Sequence, residues 1–162
     1  MIIHVKNKDT LIIDDFKLKC CIGKKGINSN KKEGDFSTPK GIFNIKKLYF
    51  RKDRVGIPKC KIGKRIIKKN MAWCDESSHK KYNEEIKVYN KNHKENLYRD
   101  DHNYDYIILT SHNELKIPNK GSAIFIHLTD NYKPTAGCVA LKKKDFEILL
   151  RLIDKKTKIK IG

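Results

Sequence analysis

Residues 121–141, GSAIFIHLTDNYKPTAGCVAL, decide the fold and carry the clearest chemical pattern of the chain. Residues 123–128 predict a strand, because β-branched and aromatic side chains follow one another there directly after a polar turn. His127 interrupts this apolar run. A polar loop follows, and Gly137 then precedes Cys138 at the start of a second apolar segment. The stretch therefore predicts a strand that carries a histidine and a turn that presents a cysteine.

The two reactive side chains of this stretch form a candidate catalytic dyad. A thiol is a strong nucleophile only as its thiolate, so a catalytic cysteine needs a base within hydrogen-bond reach, and a histidine on a neighbouring strand provides one. We predict that His127 is the base and that Cys138 is a nucleophile with a lowered thiol pKa. Gly137 allows the tight turn, and the N–H groups of Gly137 and Cys138 would stabilise an oxyanion. The alternative is a buried cysteine and a core histidine without chemistry.

A second segment, residues 32–43 with the sequence KEGDFSTPKGIF, extends the pattern upstream. Together with the strand-borne histidine and the Gly-Cys pair, it resembles the L,D-transpeptidase catalytic domain (YkuD-like), which has a Thr-Pro-x-Gly-x-Phe segment early in its first sheet. Further matches to one branch of that family are Trp73-Cys74-Asp75, Tyr82-Asn83, Arg99-Asp100-Asp101 with Tyr104-Asp105, and His112-Asn113. The resemblance spans nearly the whole chain.

This resemblance implies a reaction on peptidoglycan stem peptides or on free muropeptides. In the family, the cysteine attacks the carbonyl of a diaminopimelate residue, D-alanine leaves, and an amine of a neighbouring stem accepts the acyl group. If water is the acceptor, the same machinery is an L,D-carboxypeptidase that serves muropeptide recycling. The resemblance implies no cofactor.

Four further residues are candidates for substrate contacts. Arg99 would hold a substrate carboxylate and Asp101 would receive an amine, whereas His112 lies at a predicted strand end and Thr135 in the turn before the cysteine. For the first three, the alternative is a network of ion pairs that braces the loops. The chain also differs from many family members, since Ala136 stands in place of a second histidine and lysines replace an arginine after the cysteine.

The remaining patterns indicate one mainly β domain, residues 1–162. We predict an L,D-transpeptidase-like β-sandwich with long loops and one C-terminal amphipathic helix. The predicted strands are 2–5, 10–13, 16–22, 42–50, 106–109 and 158–161, and the predicted helix is 143–154. Between residues 51 and 106 the periodicity fades, which predicts aromatic-rich loops with little regular structure, packed over a cleft.

The composition is strongly basic, with 37 Lys and Arg against 19 Asp and Glu and a formal net charge of +18. Such a charge suggests a polyanionic partner. The lysines are spread over every segment, however, and no helix-turn-helix, zinc-finger or RNP-type motif accompanies them, so we expect no nucleic-acid partner. A basic binding module with an inert dyad is the competing hypothesis from another class.

Cysteine spacing and hydropathy bound the other possibilities. The five cysteines include no CxxC pair and the sequence has no HExxH motif, so we expect neither a disulfide framework nor a metal site. No apolar run is long enough to cross a bilayer, and the first residues lack the order of a secretory signal. We therefore expect a cytoplasmic protein, or one of the periplasm or cell envelope if the sequence is a mature form.

Overall fold

Strands make up most of the regular structure of the chain. The computed structural model describes residues 1–88 and 94–162. In chain order the elements are β1 (Ile2–Val5), β2 (Thr10–Ile13), β3 (Phe16–Cys21), β4 (Ile27–Asn28), β5 (Thr38–Pro39), β6 (Gly41–Phe50), α1 (Lys52–Val55), β7 (Gly63–Ile66), β8 (Met71–Cys74), β9 (Glu85–Lys87), β10 (Lys94–Asn96), β11 (Tyr106–Thr110), β12 (Phe125–Leu128), β13 (Val139–Leu141), α2 (Lys143–Leu152) and β14 (Lys158–Ile161).

Nine of the described strands form one large sheet, in the order β11-β12-β13-β3-β2-β1-β14-β6-β7. Strand β11 also pairs with β6, so that the pairings close into a ring of eight strands with β7 attached to β6. The length of β6 makes this closure possible, because residues 41–44 pair with β14 and residues 45–50 pair with β11. One strand thus connects the two halves of the β structure.

The first and last strands of the chain lie next to each other inside this ring. Strands β1 and β14 run parallel, with Ile3 opposite Ile159 and Val5 opposite Ile161. All four of these side chains are almost completely buried. The two ends of the sequence therefore contribute directly to the main core.

The main hydrophobic core lies inside the ring and is covered by the C-terminal helix. Helix α2 buries Phe146, Leu149 and Leu150, which share one face at helical spacing. The ring of Phe146 is stacked on Tyr106 of β11, with 5.4 Å between the ring centroids. The helix packs against the same strands that lead to the candidate site.

A second hydrophobic cluster covers the outer face of β11 and β12. Its aromatic centre is Phe125, which contacts the ring edges of Trp73 and Tyr104 at centroid distances of 5.5 and 6.1 Å. Trp73 belongs to β8, the middle strand of a small three-stranded sheet with β9 and β10. Strand β12 is therefore buried on both faces, with Ile126 in the main core and Phe125 in the second cluster.

The predicted mainly β fold is confirmed, and the predicted strands and C-terminal helix lie close to their expected positions. Between residues 51 and 106 the described chain has long connecting segments, as predicted, but it also contains the short elements α1 and β7 to β10, which the sequence patterns did not predict. Strand β8 is buried along its whole length and β7 is exposed along its whole length, so neither shows the alternation that marks a half-buried strand. Tyr89 of this region lies outside the described residues.

In the described part of the chain, no helix has the length and apolar character that crossing a membrane requires.

Replacing Phe146 with alanine tests the contribution of α2 to the main core. We expect Phe146→Ala to lower the free energy of unfolding by about 3–5 kcal/mol, because truncating a buried aromatic ring removes apolar contact and leaves a cavity. Urea denaturation followed by circular dichroism measures the change. The matched control is Lys144→Ala on the exposed face of the same helix, which should shift stability by less than about 0.5 kcal/mol. Equal effects of the two substitutions would contradict this account of the core.

Candidate active site

The parallel pairing of β12 and β13 brings the predicted dyad together. His127 lies opposite Ala140, and Cys138 immediately precedes β13 beside Phe125. Because side chains alternate along a strand, His127 and Phe125 share the face on which Cys138 lies. The Phe125 N–H donates a hydrogen bond to Cys138 Sγ, with 3.3 Å between the two atoms. The thiol is thus fixed against the strand that carries the histidine.

The hydrogen bonding of His127 sets the state of its imidazole ring. Nδ1 lies 2.8 Å from the carbonyl oxygen of Leu128. A carbonyl only accepts, so Nδ1 carries the proton and donates it, and Nε2 is left with a lone pair. Burial lowers the pKa of His127 to about 4. The ring is therefore neutral at physiological pH and available as a base.

The thiol of Cys138 is also neutral in this site. Burial is the main cause that raises its pKa, and the negative charge of Glu95 adds to the effect, whereas the Phe125 N–H and Lys31 lower it. This direction is opposite to the lowered thiol pKa predicted from the sequence. A neutral thiol beside a neutral imidazole fits proton transfer during the attack rather than a preformed ion pair.

The side chain of Tyr104 packs against His127. Its ring lies against the ring of His127, with centroids 5.1 Å apart, and its hydroxyl donates to the carboxylate of Glu95. The guanidinium of Arg99 lies 4.7 Å from the centroid of the Tyr104 ring. Arg99 is paired in turn with Asp101 at 2.5 Å. Charged groups are therefore stacked outside the aromatic side chain that contacts the candidate base.

The segment around Tyr104 is attached to the end of β6 by two arginines. Arg51, which is almost fully buried, donates to the carbonyl oxygen of Arg99 at 2.7 Å and lies over the ring of Tyr98. Arg54 donates to the carbonyl oxygen of Asp100 at 2.9 Å and to the Asp105 carboxylate at 2.9 Å. These bonds satisfy backbone carbonyls that belong to no strand. These hydrogen bonds fix the segment that carries Tyr104 against the large sheet.

The turn before the cysteine is closed by its own hydrogen bonds. The Thr135 hydroxyl donates to the Cys138 carbonyl oxygen at 2.6 Å and accepts from the Gly137 N–H at 3.1 Å. The Gly137 carbonyl oxygen accepts from the Thr38 hydroxyl at 2.7 Å. Of the two oxyanion donors predicted from the sequence, the Gly137 N–H is thus already engaged. The N–H of Cys138 stays a predicted oxyanion donor.

Gly137 occupies a position that excludes other residues. Its φ of 150° lies in the region that favours glycine, and a Cβ atom built there would lie 2.8 Å from the backbone oxygen of Ser37. The glycine therefore permits the Lys31 to Pro39 segment to pass directly over the turn. From the sequence, Gly137 is predicted to allow a tight turn; the structure adds a second constraint, the close approach of the Ser37 backbone.

A cavity of about 350 Å³ opens at Cys138. Its apolar lining includes Phe36 and Ile124, and the backbone of the cysteine turn forms one side. Its charged lining residues are Lys31, Glu33, Asp75 and Glu95. The Lys31 ammonium is paired with the Asp35 carboxylate at 2.5 Å, so its charge is largely balanced. The cavity thus presents carboxylates next to the nucleophile.

The four predicted substrate contacts do not line this cavity. Arg99 and Asp101 pair with each other outside Tyr104, and the Thr135 hydroxyl is used within the turn. His112 packs on the edge of Phe43, with its Nε2 3.2 Å from the Lys120 carbonyl oxygen, and lines a different cavity. These contacts fit the alternative interpretation, in which the side chains hold the loops in place. The substrate roles of the four residues stay predictions.

Sequence reasoning missed the charged residues of the cavity. Asp75 and Tyr104 lie in segments that carried the family resemblance, which is a signal for their importance. Glu33 also lies in a segment of that resemblance, residues 32–43. Glu95 stands in a lysine-rich polar stretch without any local pattern, so nothing in the sequence separates it from surface residues. Among the described residues, no group of three or more His, Cys, Asp and Glu side chains is arranged to hold a metal ion.

A neutral histidine and a cysteine on one face of a sheet, with the cysteine lining a cavity, are the arrangement expected of a cysteine-dependent enzyme. The family model of the L,D-transpeptidase catalytic domain, YkuD, matches residues 2–161. The chain belongs to this family, whose members are cysteine-dependent enzymes that act on peptidoglycan. A search of curated proteins finds no match to this chain.

Replacing Gly137 with alanine tests the packing of the nucleophile turn. We expect Gly137→Ala to cost roughly 1–3 kcal/mol of stability and to displace Cys138, because the Cβ meets the Ser37 backbone and the φ is unfavourable for alanine. Urea denaturation gives the stability, and the alkylation rate of Cys138 reports its position. Gly63→Ala is the matched control, since a Cβ there meets nothing within 4 Å. If both variants behave alike, the close approach of the two segments is not a constraint.

Stability should depend on pH through His127. The folded-state pKa of about 4 lies below the ordinary value of 6.5, so the unfolded chain binds a proton between these values that the folded chain excludes. We therefore expect His127 to remove stability, by about 2 kcal/mol, as the pH falls from 6.5 to 4. Urea midpoints across this range for His127→Gln should fall less steeply than those of the wild type. The exposed His79→Gln variant should keep the wild-type slope, and an unchanged slope in His127→Gln would contradict the assignment.

Proposed function

We propose that the protein is an L,D-transpeptidase, a cysteine acyltransferase that forms a thioester at Cys138 with a peptidoglycan stem peptide and transfers the acyl group to an amine. The observation that carries this proposal is the neutral His127, whose Nε2 has a lone pair on the face of the sheet that bears Cys138. Membership of the YkuD family supports the substrate class.

The first half of the reaction would form the acyl-enzyme. The Cys138 thiol gives its proton to Nε2 of His127 while Sγ attacks the carbonyl carbon of the stem peptide. The Cys138 N–H donates to the oxyanion that develops on the carbonyl oxygen. The C–N bond then breaks, and the proton on His127 passes to the departing amine of D-alanine. The Leu128 carbonyl stabilises the transient imidazolium through Nδ1.

The second half of the reaction would release the acyl group. His127 is neutral again after the first half and takes a proton from the incoming nucleophile. An amine of a second stem peptide gives a cross-link, and water gives the tripeptide of an L,D-carboxypeptidase. The same two residues serve both outcomes, so the acceptor is decided by the cavity and by the compartment in which the protein meets its substrate.

A basic binding module with an inert dyad is the second candidate. The observation that favours it is the net charge of +18, which would attract an anionic wall polymer or a nucleic acid. Such a module would bind in a strongly salt-dependent manner and would be indifferent to the loss of the Cys138 thiol.

Mass spectrometry of the purified protein with a disaccharide-tetrapeptide tests the proposal. We expect the wild type to form a covalent adduct and to release D-alanine, whereas Cys138→Ala does neither, because the thioester needs the sulfur atom. Cys60→Ala is the matched control and should keep full activity, since Cys60 lies outside the cavity. A tripeptide product identifies water as the acceptor and a dimer identifies an amine. Conversion of the substrate by Cys138→Ala, or by neither protein, would overturn the proposal.

A further inference from the structure

The cavity beside the nucleophile contains two carboxylates that accept hydrogen bonds from hydroxyl groups. The Glu95 carboxylate accepts a hydrogen bond from the Tyr104 hydroxyl. The Glu33 carboxylate accepts from the hydroxyls of Tyr82 at 2.5 Å and Ser122 at 3.2 Å. Hydroxyl groups orient a carboxylate but leave its negative charge in place. Both charges therefore act within the cavity.

No ion pair in the described part of the chain involves Glu33 or Glu95, whereas Glu84 and the exposed Glu114 are each paired with a lysine. The lysine of the cavity, Lys31, is paired with a different carboxylate. Lysine and arginine outnumber acidic residues by 37 to 19 in this protein. A partly buried carboxylate is costly unless a cation or several donors accompany it. The charge of the cavity is thus complementary to that of a positively charged ligand.

Glu95 is placed to act on a group that reacts at Cys138. Both residues line the same cavity, and the charge of Glu95 contributes to the raised pKa of the Cys138 thiol. Burial also raises the pKa of Glu95 itself, which makes its carboxylate a better proton acceptor. Tyr104 fixes the carboxylate and contacts the ring of His127. A cation bound at Glu95 would lie in the cavity that Cys138 also lines.

We propose that Glu95 binds the ammonium group of the acyl acceptor and thereby selects an amine over water. This inference rests on the proposed function, because it concerns the second half of the same reaction. A carboxylate forms a charge-assisted hydrogen bond with an ammonium ion and has no comparable preference for a water molecule. Glu33 adds negative charge to the same cavity and strengthens the selection.

The chemistry balances with the groups present. The acceptor ammonium gives one proton to the Glu95 carboxylate and becomes a neutral amine, whose lone pair forms the C–N bond at the thioester carbonyl. His127 takes a second proton from that nitrogen. The C–S bond breaks, Sγ leaves with the electron pair, and the proton on His127 passes to Sγ. Glu95 returns its proton to solvent when the amide product leaves.

Binding of the ammonium would also help the sulfur to leave. The negative charge of Glu95 disfavours a thiolate at Cys138. The proton that Glu95 takes from the ammonium ion cancels that charge, so the departing thiolate is more stable when an amine acceptor has bound than when the cavity holds water. Binding of an amine acceptor at Glu95 thus favours the departure of Sγ from the acyl group.

The ratio of aminolysis to hydrolysis of one acyl-enzyme tests this role. The purified protein is incubated with a disaccharide-tetrapeptide and either ethylamine, which is an ammonium ion at neutral pH, or hydroxylamine, which is uncharged there. The adduct, the amide product and the tripeptide are quantified by mass spectrometry. With ethylamine, we expect Glu95→Gln to lower the ratio of amide to tripeptide at least about tenfold, the scale of losing one charge-assisted hydrogen bond. With hydroxylamine the ratio should stay within about twofold of the wild type.

A control variant and three further outcomes complete the test. The surface variant Glu114→Gln should keep the wild-type ratio with both nucleophiles, since its carboxylate lies outside the cavity. An equal fall with hydroxylamine would overturn recognition of positive charge. An unchanged ratio with slower formation of the adduct would mean that Glu95 binds an ammonium group of the donor peptide instead. Absence of any adduct in the wild type would overturn the proposed function, and this inference with it.

Discussion

The parallel pairing of β12 and β13 is the constraint on which the candidate site depends. It places Cys138 beside Phe125 and on the same face as His127, although a loop separates the two residues in sequence. Strand β11 on one side and β3 on the other fix the pair in the middle of the ring, so neither strand can shift without breaking another ladder. A one-residue slip would turn the histidine away from the thiol. The geometry of the dyad is therefore a property of the whole ring and not of the loop.

The electrostatics of the site differ from those of the molecule as a whole. The protein is strongly cationic, yet its candidate nucleophile lies next to carboxylates and its candidate base is uncharged. Burial keeps both members of the dyad neutral, so reactivity depends on a substrate that displaces water and orients the attack. Net charge is thus a poor guide to the partner of this protein. The molecule as a whole is positively charged, whereas the residues of the cavity include several carboxylates.

Sequence patterns predict those parts of the structure that local signals determine. The dyad, the amphipathic helix and the half-buried strands have recognisable spacing, and the structure contains them. The meeting of the cavity residues has no such signal, because Lys31 and Glu95 come from segments far apart in sequence and only the fold brings them together. The lowered thiol pKa was predicted from cysteine chemistry alone, whereas the burial that raises it is a tertiary property. Buried strand β8 escaped notice because both of its faces are covered.

The adjacency of β1 and β14 also has a consequence for the biogenesis of the protein. Strand β14 lies between β1 and β6, so the ring of strands stays open between β1 and β6 until β14 is present. A ribosome-bound chain can form the hairpin of β1 and β2 but cannot close the core around it. The ring must therefore close after synthesis of β14, and a nascent chain exposes the apolar side chains of Ile3 and Val5 until that strand is available. A chain that ends before β14 would lack Ile159 and Ile161 of the main core and would leave β1 without one of its two neighbouring strands.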